Sequence, residues 1–258
     1  MPETDLSLLI NAAQAAGNIA KDFFQSDMKT WDKADGAGPV TEADLAVNTL
    51  LEDTLREARP DYGWLSEESA DTDERQSKER VFIIDPIDGT RSYISGSTTW
   101  AHSLAIAENG VITNAVVLLP MRDMLYSASA GNGAQLNGDT LSTSAQRDIA
   151  SATILAAKPT LDQKHWNSEA VPAFKRHHRP SLAYRLSLVA EGKFDAMFTF
   201  RPSWEWDIAA GALIISEAGG TISDKTGAPL RFNGLDPRLN GVLAAGPALH
   251  TSILQQLA

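Results

Sequence analysis

No cysteine occurs in the 258 residues. Disulfides, thiolate nucleophiles, zinc fingers and iron–sulfur clusters are thereby excluded, and any catalysis must draw on oxygen, nitrogen or metal chemistry. Positive charge is scarce as well: 22 Lys and Arg face 33 Asp and Glu, a net charge of −11, which excludes binding of a nucleic acid polymer by bulk charge. Long apolar runs are missing, none approaching the roughly 20 residues that cross a bilayer. The start, Met1-Pro2-Glu3-Thr4-Asp5, has no basic region ahead of a secretory apolar stretch, so a cytoplasmic protein without a membrane partner is expected. What is present, 43% hydrophobic and 21% charged residues, suffices for a packed core and is too apolar for disorder.

Leu6, Leu9, Ile10, Ala13, Gly17, Ala20 and Phe24 recur at helical spacing, which predicts a first helix over about residues 5–26. The polar, Gly- and Pro-containing stretch 29–39 reads as a loop, and Thr41-Glu42-Ala43-Asp44 opens a second helix in the manner of a capping box. Short β-type runs at 62–66, 81–85, 100–108, 111–119 and 124–129, punctuated by Asn109-Gly110 and Asn137-Gly138, predict an antiparallel sheet of hairpins. Farther on, strands at 153–157, 194–200, 221–223 and 241–245 alternate with helices at 181–191, 207–218 and the C-terminus. The chain is expected to divide into an α+β half, 1–136, and an α/β half, 137–258, packed tightly together.

The chemistry gathers at acids on element ends. Val81 to Ile84 is an apolar strand running into Asp85-Pro86-Ile87-Asp88-Gly89-Thr90, two carboxylates three apart across a stiff turn. Carboxylates that converge repel one another unless a cation lies between them, and hard oxygen donors favour Mg²⁺, Mn²⁺ or Ca²⁺. Gly89 lets the backbone approach a ligand, and the amides of Gly89 and Thr90 suit a phosphate. Asp207 opens a helix apolar on nearly every side, so only that helix's N-terminus can meet water. Glu67 and Glu68 leave a strand, and Asp44 lies in the first turn of the second helix. The five histidines, His102, His165, His177, His178 and His250, lack paired metal spacing and read as structural or surface residues.

Asp85-Pro86-Ile87-Asp88-Gly89-Thr90 and Trp206-Asp207-Ile208-Ala209-Ala210-Gly211, in that order, resemble the two signature motifs of the inositol monophosphatase superfamily. Glu67-Glu68-Ser69, Thr41 to Asp44 and Lys33 fit that family's acidic strand end, helix start and loop lysine. The resemblance implies an α/β (α+β) fold, a layered αβαβα sandwich of the inositol monophosphatase/fructose-1,6-bisphosphatase type. It implies a Mg²⁺-dependent, lithium-sensitive phosphomonoesterase acting on a small phosphorylated metabolite, with two or three metals, Mn²⁺ as a substitute, and a homodimer. It further implies that Glu67, Asp85 and the Ile87 carbonyl hold one metal, and that Asp85, Asp88 and Asp207 hold a second. Thr90 and Asp44, with Glu67, would activate water, while Lys33, Gly89, Thr90, Arg185, Phe200 and Arg201 would meet the substrate.

Inositol-specific members carry a Glu seven residues before the second-motif Asp, a position occupied here by Phe200. Pro180-Ser181-Leu182-Ala183 also replaces the family's Gly-[Ser/Thr]-Ala stretch. With Ala190-Glu191-Gly192 and Glu205-Trp206-Asp207, these residues look more like the branch that hydrolyses adenosine 3′(2′),5′-bisphosphate. Arg185 or Arg201 would then meet a second phosphate and Phe200 a base. Inositol monophosphate and histidinol phosphate are the alternative substrates, and a non-catalytic metal- or anion-binding scaffold is the alternative class.

Overall fold

The structure, a computed structural model, describes residues 3–33, 38–167 and 170–258. Thr4 caps α1 (Asp5–Phe23) by accepting from the amide of Ser7 at 3.1 Å. The helix stops before residue 26 because Gln25 takes a left-handed conformation, φ 60°. Part of the expected loop pairs as two antiparallel strands, β1 (Thr30–Asp32) and β2 (Pro39–Thr41); positions 34–37 of that loop lie outside the described residues. The predicted capping box is complete at α2 (Glu42–Ala58): Thr41 Oγ1 accepts from the amides of Ala43 and Asp44, and Asp44 Oδ2 accepts from the amide of Thr41 at 2.8 Å.

Next come β3 (Gly63–Ser66), β4 (Arg80–Asp88), the short α3 (Thr90–Ile94), β5 (Ala101–Glu108), β6 (Val111–Leu119), β7 (Met124–Ser129), β8 (Ala134–Leu136) and β9 (Asp139–Thr140). These strands form one seven-stranded sheet in sequence order. It is mixed where an antiparallel sheet was expected: β3 runs parallel to β4, because residues 67–79 form a crossover rather than a hairpin turn.

The rest comprises β10 (Thr153–Ala156), β11 (Lys175–His177), α4 (Leu182–Ala190), β12 (Ala196–Thr199), β13 (Ser203–Trp204), α5 (Glu205–Glu217), β14 (Thr221–Ser223), β15 (Arg238–Leu239), β16 (Val242–Ala245) and α6 (Pro247–Leu254). A second sheet has the order β11-β10-β12-β16-β14. β13 and β15 pair separately.

Alternation along the strands builds the layers. Phe82 and Ile84 of β4 face α1 and α2, whereas Val81 and Ile83 face α4 and α5. Across α4 and α5, Leu155, Met197, Val242 and Ala244 close the same apolar cluster from the second sheet, while Ile154, Phe198 and Leu243 turn to Leu249 and Ile253 of α6. The result is the αβαβα sandwich. α5 is apolar all round because sheets or helices cover it; Ile208, Ile214 and Ile215 are fully buried, each contributing about 1.5–3 kcal/mol. Gly211 lets α4 approach, since a Cβ there would lie 2.5 Å from Leu186 Cδ1. Among the described residues, no helix is long and apolar enough to cross a membrane.

Candidate metal-dependent active site

Pairing between β4 and β5 shifts register between Asp85 and Asp88, where Pro86 lacks the amide that a regular ladder would use. The break brings both acids of the motif to one end of the strand. Asp207 comes from the first turn of α5, whose start is tied to β5 by Ser103 Oγ donating to the Trp206 carbonyl at 2.9 Å. Carboxylate oxygens of Asp85, Asp88 and Asp207 all lie within 4.8 Å of one another. Asp85 Oδ1 is buried and has no hydrogen-bond partner among the described residues. An orphaned buried oxygen in a cluster of hard donors fits a divalent cation.

The electrostatics point the same way. Burial, then the charges of Glu67, Asp88 and Asp207, hold Asp85 well above the usual carboxylate range. Burial, then Asp88 and Glu67, does the same to Asp207. Asp88 is raised by burial, although Ser181 Oγ donates to its Oδ2 at 2.6 Å and the Ala183 amide donates to the same oxygen at 2.7 Å. A cation would relieve every one of these costs.

Asp44 and Thr90 meet across the cleft. Thr90 Oγ1 lies 3.2 Å from Asp44 Oδ1 and 3.2 Å from the Ile87 carbonyl oxygen. Burial pushes Asp44 up to about 6, against the downward pull of its Thr41 hydrogen bonds. Gly89 precedes Thr90 at φ 104°, a left-handed conformation that L side chains rarely adopt. Lys33 does not line the cleft: its ammonium bridges Glu67 Oε1 at 2.7 Å and Glu68 Oε1 at 2.6 Å. Burial alone would lower its pKa, but the two glutamates raise it overall. Burial and Glu67 push Glu68 up to about 7.

The cleft over the acids encloses about 560 Å³ and is also lined by Arg91, His178, Ser181, Arg185 and Arg201. Arg185 is buried, donating through Nε to the Arg179 carbonyl and through Nη2 to His178 Nε2 at 2.8 Å. An acceptor Nε2 makes His178 a neutral imidazole here, consistent with a pKa lowered by burial and the charge of Arg185.

Two sequence readings need correction. Phe200 is buried, stacked on Phe198 at 5.0 Å and packed against Trp166. It continues the inward alternation of Ala196 and Phe198, so it presents no face to a base. The features that suggested a nucleotide substrate are structural: Glu205 accepts from the amides of Asn233 at 2.6 Å and Gly234 at 2.9 Å, and Glu191 accepts from Tyr126 Oη at 2.9 Å. The sequence reading placed His178 among structural or surface residues, although its basic run could face an anionic substrate or a subunit partner, and it gave Ser181 no role. The basic run Lys175 to Arg179, which forms edge strand β11 and leads into the cleft, was the signal for the first. The second had no local signal beyond its helix-capping chemistry.

Acids at strand and helix ends of an αβαβα sandwich, facing a cationic wall, define a site for a divalent metal and an anion. The sequence matches the inositol monophosphatase family over residues 1–258. The chain therefore belongs to the inositol monophosphatase family, and its site is that of a metal- and anion-binding hydrolase. It is 34% identical to the Nus factor SuhB of Escherichia coli K12, with 93% of this chain and 90% of the relative covered. Identity is also 34% to the inositol-1-monophosphatase of Rhizobium meliloti, covering 86% of each. A solved structure of SaIMPase-II, a staphylococcal protein, with bound inositol monophosphate superposes with a TM-score of 0.78 at 25% identity, covering 96% of this chain and 91% of that one. The same protein has also been solved with 2′-AMP.

Proposed function

We propose that the chain is a Mg²⁺-dependent phosphomonoesterase whose preferred substrate is an inositol monophosphate. The convergence of Asp85, Asp88 and Asp207 around an unpartnered buried oxygen carries the reading. The substrate class is supported by the inositol-1-monophosphatase relative and the inositol monophosphate bound to SaIMPase-II. The burial of Phe200 removes the main argument for a nucleotide. With no Glu at position 200, recognition of the leaving alcohol falls to cleft residues such as Arg185, Arg201 and Ser203.

Glu67, Asp85 and the Ile87 carbonyl would hold one cation, and Asp85, Asp88 and Asp207 a second. Bound there, the cations supply Lewis acidity for the phosphoryl oxygens and lower the pKa of water. The amides of Gly89 and Thr90 orient the phosphoryl group. Thr90 donates its proton to Asp44 and accepts one from the attacking water. Burial raises Asp44 to about 6 in the metal-free site, which favours its accepting that proton. Arg185 and Arg201 add positive charge on the leaving-group side.

Phosphate release with Mg²⁺ from inositol 1-phosphate, adenosine 3′,5′-bisphosphate, 2′-AMP and histidinol phosphate tests the reading. The highest kcat/KM is expected for inositol 1-phosphate. A nucleotide in first place would restore the bisphosphate reading, and Mg²⁺ binding without turnover of any ester would leave a non-catalytic scaffold. Light scattering tests the homodimer that family membership implies.

A further inference from the structure

Ser181 stands at φ 64° and ψ 117°, a conformation costly for any residue with a side chain. Its backbone is held there by what its hydroxyl does. Oγ accepts from the Tyr184 amide at 3.0 Å, which caps α4, and donates to Asp88 Oδ2 at 2.6 Å. The amide of Ala183, in the first turn of the same helix, reaches that oxygen at 2.7 Å. One carboxylate oxygen is thus gripped by two donors at the positive end of a fully buried helix. Only the other oxygen remains for the cluster with Asp85 and Asp207. A helix whose cap needed nothing more than an acceptor would have no reason to keep a positive-φ serine; a glycine would relieve the strain, and an acceptor in relaxed backbone would cap as well.

We infer that Ser181 is a positioning residue that orients Asp88 for metal binding, linking the substrate-side helix α4 to the acidic cluster. This rests on the reading of Asp88 as a ligand under Proposed function. The role needs no contact with substrate or metal: the Ser181 hydroxyl holds one oxygen of Asp88, which fixes the rotamer and aims the free oxygen before a cation arrives. Arg185 rides on the same helix one turn later and lines the cleft. Movement of α4 would therefore shift the anion-binding wall and the ligand together.

Isothermal titration of the EDTA-stripped full chain with Mg²⁺, run beside thermal melts in EDTA, separates the alternatives. Ser181→Gly removes the hydroxyl and relieves the positive φ, so its metal-free melting temperature should stay close to wild type or rise. Its Mg²⁺ affinity should fall roughly tenfold to a hundredfold, the usual loss when a group that orients a ligand is removed. Asp88→Asn should abolish binding at the affected site, and Ser181→Ala should lose affinity as Ser181→Gly does. Wild-type Mg²⁺ affinity in Ser181→Gly, with Asp88→Asn defective, would overturn the inference and leave Ser181 a helix cap alone. Wild-type affinity in Asp88→Asn would instead overturn the ligand assignment on which it rests.

Discussion

Stripping the metal should make the protein lose stability as pH rises, and neutralising one acid of the cluster should restore it. Two unit charges 4.8 Å apart, the outer separation of the cluster oxygens, repel by about 3.5 kcal/mol at an effective dielectric constant of about 20. Asp85 belongs to two such pairs, with Asp88 and with Asp207. The folded state lowers this cost by keeping protons: Asp85 and Asp207 are raised by burial first and then by the charges of Glu67 and Asp88, and Asp44 is raised to about 6 by burial. A carboxyl with a folded pKa above its unfolded value binds more protons folded than unfolded. Its contribution to stability therefore falls as pH rises from the unfolded value, about 4, through the folded one. In EDTA the melting temperature should drop between pH 5 and pH 8, and Asp85→Asn should reduce the drop by relieving about 1–3 kcal/mol of the unrelieved repulsion, or roughly 2–10 °C in a chain of this size. Saturating Mg²⁺ should raise wild type by about 3 kcal/mol at a hundred times Kd and leave Asp85→Asn nearly unmoved. Calorimetry at the two pH values, with and without Mg²⁺, measures all four terms. A metal-free wild type that gains stability toward pH 8, or that ignores Mg²⁺, would refute the reasoning.

On the proposed mechanism Thr90→Ala should lower kcat by about 10² to 10⁴ with little change in KM, because the hydroxyl, 3.2 Å from Asp44 Oδ1, is assigned to the attacking water's proton and not to the substrate. Asp44→Asn should lose a similar factor, and the double variant little more than either; losses that multiply would separate the two residues. Phe200→Ala should cost about 3–5 kcal/mol of stability in denaturant melts while leaving the substrate ranking intact, since the ring packs in the core; a changed ranking would put position 200 back in the substrate site. Millimolar Li⁺ should inhibit phosphate release, and activity unchanged at tens of millimolar would place the chain in an insensitive branch.

Short-range chemistry was legible in the order of the residues. The Thr41 to Asp44 box, the apolar run Val81 to Ile84 and the apolar run after Asp207 each express residue character and hydrogen-bond capacity within a few neighbours, and each forms the expected element. The acids stood out for the same reason, as charges placed where apolar elements end. Which side chains face one another was settled farther away. Asp207 reaches Asp85 only because α5 packs between two sheets; Phe200 turns inward because β12 alternates against α6; and Ser181 meets Asp88 because α4 docks with its N-terminus over the β4 break. Periodicity determines which face of an element is apolar, but the direction in which that face is pressed, and so which polar groups are left to share the cleft, depends on contacts between segments a hundred residues apart, and only the packed layers supply those.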